Sequence, residues 1–254
     1  MGYLEERVAV ITGGATGIGL ATAERLAAEG AEVVLAGRDA ARGEHAVRAI
    51  ARVGGRARFI RTDVTDDRQV ASLAEAAGAH GQIDIWVNNA GIEGRIGPLA
   101  AIDDALVSAL LNTNVKGVYS GMRHAVPRMP GGGVIVNVAS FVGTKMPVPI
   151  AVAYGGTKAA VVSMTRSAAE ALREERIRVF AICPWIVDTP MVDRLTGGGA
   201  PEAKAAFARA FAPSGQLTRP EEVGAVVLDL CLQSGPWQSG DTLLVDAGPT
   251  VTPL

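Results

Sequence analysis

Cysteine is scarce in this 254-residue chain: only Cys183 and Cys231 occur, and they follow no CxxC or Cys/His spacing. That excludes a disulfide scaffold and argues against a thiolate metal site. The three histidines, His45, His80 and His124, stand far apart in sequence, so no metal is expected. Charge of one sign is also missing. The 24 basic and 26 acidic residues leave a formal net charge of −2, without the cationic excess that a phosphate backbone demands, and nucleic acid is not an expected partner. No apolar run approaches the roughly 20 residues of a membrane span. The first one, over 8–11, follows the polar lead Met1 to Arg7, so the chain is expected to be cytoplasmic and to have no membrane partner. Aromatic residues are few, at 4%, whereas glycine, with 31 copies, is plentiful.

A hydrophobic content of 48% with 20% charged residues is that of an ordinary globular protein and excludes disorder. Short β-branched runs alternate with longer amphipathic stretches along the chain. The pattern predicts strands over 8–11, 32–36, 57–61, 85–88, 134–138, 178–182 and 242–246. Between them it predicts helices over 19–29, 40–53, 67–79, within 103–129, and over 154–173 and 221–232. Strands this apolar need both faces covered, which points to a doubly wound, parallel α/β sheet of about seven strands with helices on both faces. No linker composition interrupts the alternation, so residues 1–254 read as a single domain. Residues 189–219, with Gly197-Gly198-Gly199, break the rhythm and read as a lid or small helical insertion.

The glycines mark the chemistry. Thr12-Gly13-Gly14-Ala15-Thr16-Gly17-Ile18-Gly19 lies between the first strand and first helix. Glycine there lets the backbone approach a pyrophosphate and opens a helix whose N-terminal amides favour negative charge. The spacing is G-x-x-x-G-x-G, not the usual G-x-G-x-x-G, and a merely tight turn is the alternative. Asp63-Val64 and Asn88-Asn89-Ala90-Gly91 follow the third and fourth strands, at the carboxyl edge where open α/β sheets bind ligands. Asn and Asp also serve as plain turn residues. Tyr154 and Lys158 are four residues apart and share a helix face. Ser140 follows the preceding apolar strand, and Gly155-Gly156 are expected to leave the turn after Tyr154 open to a ligand. Ser140 reads equally well as a cap or turn residue, and Tyr154 as a half-buried core residue with a satisfied hydroxyl.

In order and spacing, these segments, together with Asn114 and Cys183-Pro184-x-x-Val187-x-Thr189, resemble the short-chain dehydrogenase/reductases from about Arg7 to Gly248. The resemblance implies a Rossmann-type fold and hydride transfer between a nicotinamide cofactor and a secondary alcohol or ketone. It assigns proton exchange to Tyr154, ribose binding to Lys158, a hydrogen bond on the substrate oxygen to Ser140, and a water-holding place in a proton relay to Asn114, with Asn112 as the alternative. It implies cofactor contacts at Gly13, Thr16, Gly17, Ile18, Gly19, Asp63, Val64, Asn89, Gly91, Tyr154, Lys158, Val187 and Thr189. A phenol with pKa near 10 must fall by about three units, about 4 kcal/mol, to work near neutral pH. An ammonium about 4 Å away at an effective dielectric of about 20 supplies that much, so Lys158 is expected to lower Tyr154.

Cofactor choice is read at the end of the second strand. In the relatives that prefer NAD an acidic residue stands there; here the position falls on Gly37, followed by Arg38, which resembles the pattern for NADP. Asp39 leaves NAD as the alternative. Trp185 departs from the family, where glycine commonly follows Pro184. Its ring either narrows the substrate pocket or packs between sheet and lid. Val142, Trp185 and Met191, with Met146, Val148, Ile186, Phe207 and Phe211, make an apolar candidate pocket. The resemblance also implies a homotetramer. The rival reading is a catalytically idle dinucleotide-binding sensor or scaffold, which has no need of Ser140 beside Tyr154 and Lys158.

Overall fold

The computed structural model describes residues 2–79, 81–247 and 251–254; His80 and Gly248 lie outside the described residues. Strands β1 Val8–Thr12, β2 Glu32–Gly37, β3 Arg56–Arg61, β4 Ile85–Asn88, β5 Gly133–Val138, β6 Ile177–Pro184, β7 Thr242–Val245 and β8 Val251–Pro253 form one sheet. Their order is β3-β2-β1-β4-β5-β6-β7-β8. Neighbours run parallel from β3 to β7, whereas β8 pairs antiparallel with β7, Val245 opposite Val251. The eighth strand adds to the about seven read from the sequence: three residues ending in Pro253 are too few to show a period.

Helices α1 Gly17–Ala28, α2 Ala40–Arg52 and α9 Pro220–Leu232 cover one face, and α3 Asp67–Ala77, α5 Gly117–Ala125 and α6 Val152–Ala171 cover the other. The strands show why both faces are dry. Ile11, Leu35, Val87 and Val136 point to the α1/α9 side, while Val10, Val34, Trp86 and Ile135 point to the α5/α6 side. Successive residues are therefore all apolar, and the runs are continuous rather than alternating. Helix α4, Asp104–Leu111, leads into a π-helical turn over Asn112–Lys116, where the sequence reads a single helical stretch. The irregular segment after β6 holds α7 Pro190–Leu195 and α8 Pro201–Phe211, joined through Gly197, Gly198 and Gly199 at φ of 72°, 122° and 78°.

A buried polar chain crosses the α6 side. Trp86 Nε1 donates to Asn88 Oδ1 (2.7 Å), Asn88 Nδ2 to Asn137 Oδ1 (2.8 Å), and Asn137 Nδ2 to Thr165 Oγ1 (2.9 Å). It ties β4, β5 and α6 together; a donor orphaned there costs about 1–3 kcal/mol. Strand order reverses at β1, which has β2 on one side and β4 on the other, so the connections leaving β1 and β4 part and open a crevice at the carboxyl edge.

Candidate active site

The turn from β1 to α1 forms one end of that crevice. Its brace is Asn89: Nδ2 donates to the carbonyls of Thr12 (3.0 Å) and Gly13 (3.1 Å), and its backbone N–H donates to Thr12 Oγ1 (3.0 Å). A Cβ on Gly19 would lie 2.3 Å from Gly13 O and 2.5 Å from Asn89 Nδ2, so glycine at 19 is what admits the brace. Helices α2, α3 and α4 are capped by Asp39, Asp66 and Asp103, whose carboxylates accept backbone N–H groups. Helix α1 starts at Thr16 with no side-chain cap bond and no acidic residue in its first turn. Its amides are left to a negatively charged ligand, which fits the pyrophosphate of a dinucleotide.

Ser140, Tyr154 and Lys158 meet at the middle of the crevice. The Ser140 hydroxyl acts on the Tyr154 phenol to lower its pKa, and its Oγ accepts from Val142 N at 3.2 Å. Lys158 is buried; its Nζ donates to Val138 O at 2.9 Å and stands 5.7 Å from the centroid of the Tyr154 ring. Burial pushes the Tyr154 phenol up to about 12, against the lowering effect of Ser140, and the charges of Glu93 and Cys183 push the same way as burial. Burial brings Lys158 down to about 8. The expected lowering of Tyr154 by Lys158 is thereby corrected. The ammonium is committed to a carbonyl, and loss of water outweighs attraction. Burial likewise pushes the Cys183 thiol up to about 11.

The π turn directs Asn114 inward, fully buried, while Asn112 is exposed. Asn114 Oδ1 accepts from Ile92 N (2.9 Å), and Nδ2 donates to Ile92 O (2.9 Å) and Thr157 Oγ1 (3.2 Å). Its side chain thus clamps the loop after β4. A Cβ on Gly91 would lie 3.3 Å from Asn114 Oδ1 and 3.5 Å from Lys158 Nζ, which sets Gly91 beside both. The expected openness at Gly155-Gly156 is half corrected. Gly156 is exposed, but Gly155 packs against the 140s loop: a Cβ on Gly143 would lie 2.1 Å from Gly155 O.

A cavity of about 320 Å³ runs from the glycine turn to α7 and α8. Gly13, Thr16, Gly17, Ile18, Asn89, Gly91, Ser140, Tyr154, Lys158, Val187 and Thr189 line it, and so do Val142, Trp185 and Met191. Trp185 satisfies both readings. Its ring stacks on Phe141, centroids 4.3 Å apart and planes 20° apart, and still walls the cavity. Gly19, Arg38, Asp63, Val64 and Asn114 do not line it. Gly19 and Asn114 act from behind, as above. Asp63 Oδ1 is engaged by Thr65 N and Oγ1 (3.0 and 2.8 Å), and Val64 packs at Gly117. Asp39 caps α2 and pairs with Arg42 at 3.1 Å, whereas Arg38 is exposed.

Three charged lining residues are absent from the sequence reading: Arg42, Glu93 and Arg194. Arg42 stands three residues after a capping aspartate, a signal that is legible in principle. Glu93 and Arg194 are 101 residues apart and pair only in the fold.

A family model described as enoyl-(acyl carrier protein) reductase matches residues 13–250. The chain is 40% identical, over 96% of its length and 97% of the relative's, to a cis-4-hydroxycyclohexanecarboxylate dehydrogenase of Sinomonas cyclohexanicum. It is 36% identical, over 98% and 96% of the two chains, to 3β-hydroxysteroid dehydrogenase 1 of Eggerthella lenta. Among solved structures, a short-chain type dehydrogenase/reductase from Mycobacterium marinum superposes with a TM-score of 0.88 at 32% identity, covering 97% and 96%. A Phe-to-Trp variant of actinorhodin polyketide ketoreductase with NADPH also gives 0.88, at 30% identity and 98% coverage of both chains.

Proposed function

The chain belongs to the short-chain dehydrogenase/reductase family and is a hydride-transferring oxidoreductase, and we propose that it interconverts an apolar, ring-borne secondary alcohol and its ketone with NADP(H). The reading rests on one observation: Ser140, Tyr154 and Lys158 converge on a cavity whose far wall is apolar and whose other end is an uncapped, glycine-lined helix start. Relatives named for a hydroxycyclohexane acid and a hydroxysteroid support a hydroxyl on a saturated ring as the substrate group.

A nicotinamide dinucleotide would supply or accept the hydride, and the α1 amides with Gly13, Thr16, Gly17, Ile18, Asn89, Gly91, Lys158, Val187 and Thr189, which line the cavity, would hold it. Tyr154 exchanges the proton with the substrate oxygen, and Ser140, which lines the same cavity, donates to that oxygen as charge develops. With a phenol pKa near 12, Tyr154 is protonated at neutral pH and is set for reduction. Asn114 fixes the Gly91–Ile92 backbone that borders the reacting centre. At the end of β2, Gly37 offers no acidic group and Asp39 is engaged by Arg42, so the exposed Arg38 favours a 2′-phosphate; this supports NADP(H) over NAD.

The sheet with its α7–α8 lid acts as one catalytic domain, working in the cytoplasm. Exposed Leu111, Tyr119 and Val152 on α4, α5 and α6 support the homotetramer. The test is NADPH oxidation with a panel of cyclic ketones. Turnover that is lost in Tyr154→Phe is expected; tight NADPH binding with no turnover of any ketone would favour the idle sensor or scaffold instead.

A further inference from the structure

Across the substrate end of the cavity, Glu93 in the loop after β4 meets Arg194 near the end of α7. The contact is a fork: Arg194 Nε to Oε1 at 2.7 Å and Nη2 to Oε2 at 3.1 Å. The Glu93 side chain is only 13% exposed, against 59% for Arg194. Everything else named on this wall is apolar, including Val148, Trp185, Ile186, Phe207 and Phe211. The other two charged lining residues, Arg42 and Lys158, are held by Asp39 and by Val138 O.

A guanidinium on an apolar wall is a ready receptor for a carboxylate, because its planar donors match the two oxygens. Here the protein's own carboxylate already fills that fork. An anionic ligand taking that Nε/Nη2 edge would have to evict Glu93 and leave a largely buried carboxylate unpaired, facing a second negative charge. A neutral ligand disturbs nothing. That the Glu93 charge raises the Tyr154 phenol agrees with its facing the reacting centre.

We propose that the Glu93–Arg194 pair is a charge filter that makes this site accept uncharged ring alcohols and ketones and reject those bearing a carboxylate. The proposal rests on the ketone-reductase reading above for its substrates, and its test separates the two. The probes are 4-methylcyclohexanone and 4-oxocyclohexanecarboxylate, similar in size and different in charge. Dissociation constants are measured by calorimetry, and kcat/KM by NADPH oxidation. Wild type is expected to prefer the methyl ketone by about tenfold or more in both. Glu93→Gln keeps the size and frees the fork, so the preference should shift toward the carboxylate by about tenfold or more. In Glu93→Gln with Arg194→Gln the shift should vanish. Equal binding of both ketones by wild type, an unchanged ratio in Glu93→Gln, a gain that survives removal of Arg194, or no binding of either ketone overturns the filter. Binding with these ratios but without turnover overturns the reductase reading and leaves the filter standing.

Discussion

Lys158 lies against the face of the Tyr154 ring, Nζ 5.7 Å from its centroid, and gives a hydrogen bond to Val138 O rather than to the phenol. The two groups thus share a dry region with their pKa values pushed in opposite senses, about 12 for the phenol and about 8 for the amine. In the cofactor-free protein Tyr154 should stay protonated at pH 10. Ultraviolet titration of wild type and Tyr154→Phe should give the same phenolate amplitude up to that pH. A missing phenolate in the variant below pH 9 would contradict the burial argument.

Lys158 carries a stability cost with a definite pH window. Its pKa is near 8 when folded and 10.5 at its ordinary value, so both states are charged below pH 8 and the native state bears the buried ammonium. Between pH 8 and 10.5 the unfolded chain binds more protons, and wild-type stability should gain as pH rises. Lys158→Met should therefore stabilise the fold at pH 7, by up to about 3 kcal/mol, while abolishing turnover. The gain should shrink towards pH 10. Urea unfolding at both pH values measures it, and a variant less stable than wild type at pH 7 would refute it.

Arg38→Ala should raise KM for NADPH by about tenfold or more and change that for NADH much less, since only the former carries the 2′-phosphate. Steady-state kinetics with both cofactors decides the matter, and equal effects on the two would refute the preference.

Trp185→Gly removes the partner of Phe141 and one wall of the cavity. Activity should move from small cyclic ketones towards bulkier fused-ring ones, with kcat/KM for the former falling by about tenfold and for the latter rising. Unchanged ranking across a size series would mean that the ring serves packing alone.

How much of this was legible beforehand depends on how local the cause is. Val33, Val34, Leu35 and Ala36 announce a strand because both sheet faces are covered, so every position must be apolar. The order of Ser140, Tyr154 and Lys158 carried the family resemblance, and the fold brings them to one cavity. The π turn was invisible because nothing in Asn112-Thr113-Asn114-Val115-Lys116 distinguishes an i→i+5 bond from an α-helical one. The packing duty of Gly155 depends on Gly143, and that of Glu93 on Arg194; neither partner is close in sequence. The expected direction for Tyr154 failed on the sign of a contest between desolvation and attraction, which spacing along a helix does not decide.

The π turn has an engineering corollary. A residue adds about 100° of rotation to an α-helix, and this turn accommodates one residue more than a regular helix would in joining α4 to α5. Removing any single residue between Asn112 and Lys116 would let the turn relax into ordinary helix. The widened turn that aims Asn114 at Ile92 would then be lost, while α5, with Val118 and Met122, would keep its face to the sheet, because a residue taken up in a π turn leaves the flanking helices nearly in phase. Point substitutions on its exposed side, as at Asn112, leave that turn untouched. Length, more than composition, is what this stretch must conserve.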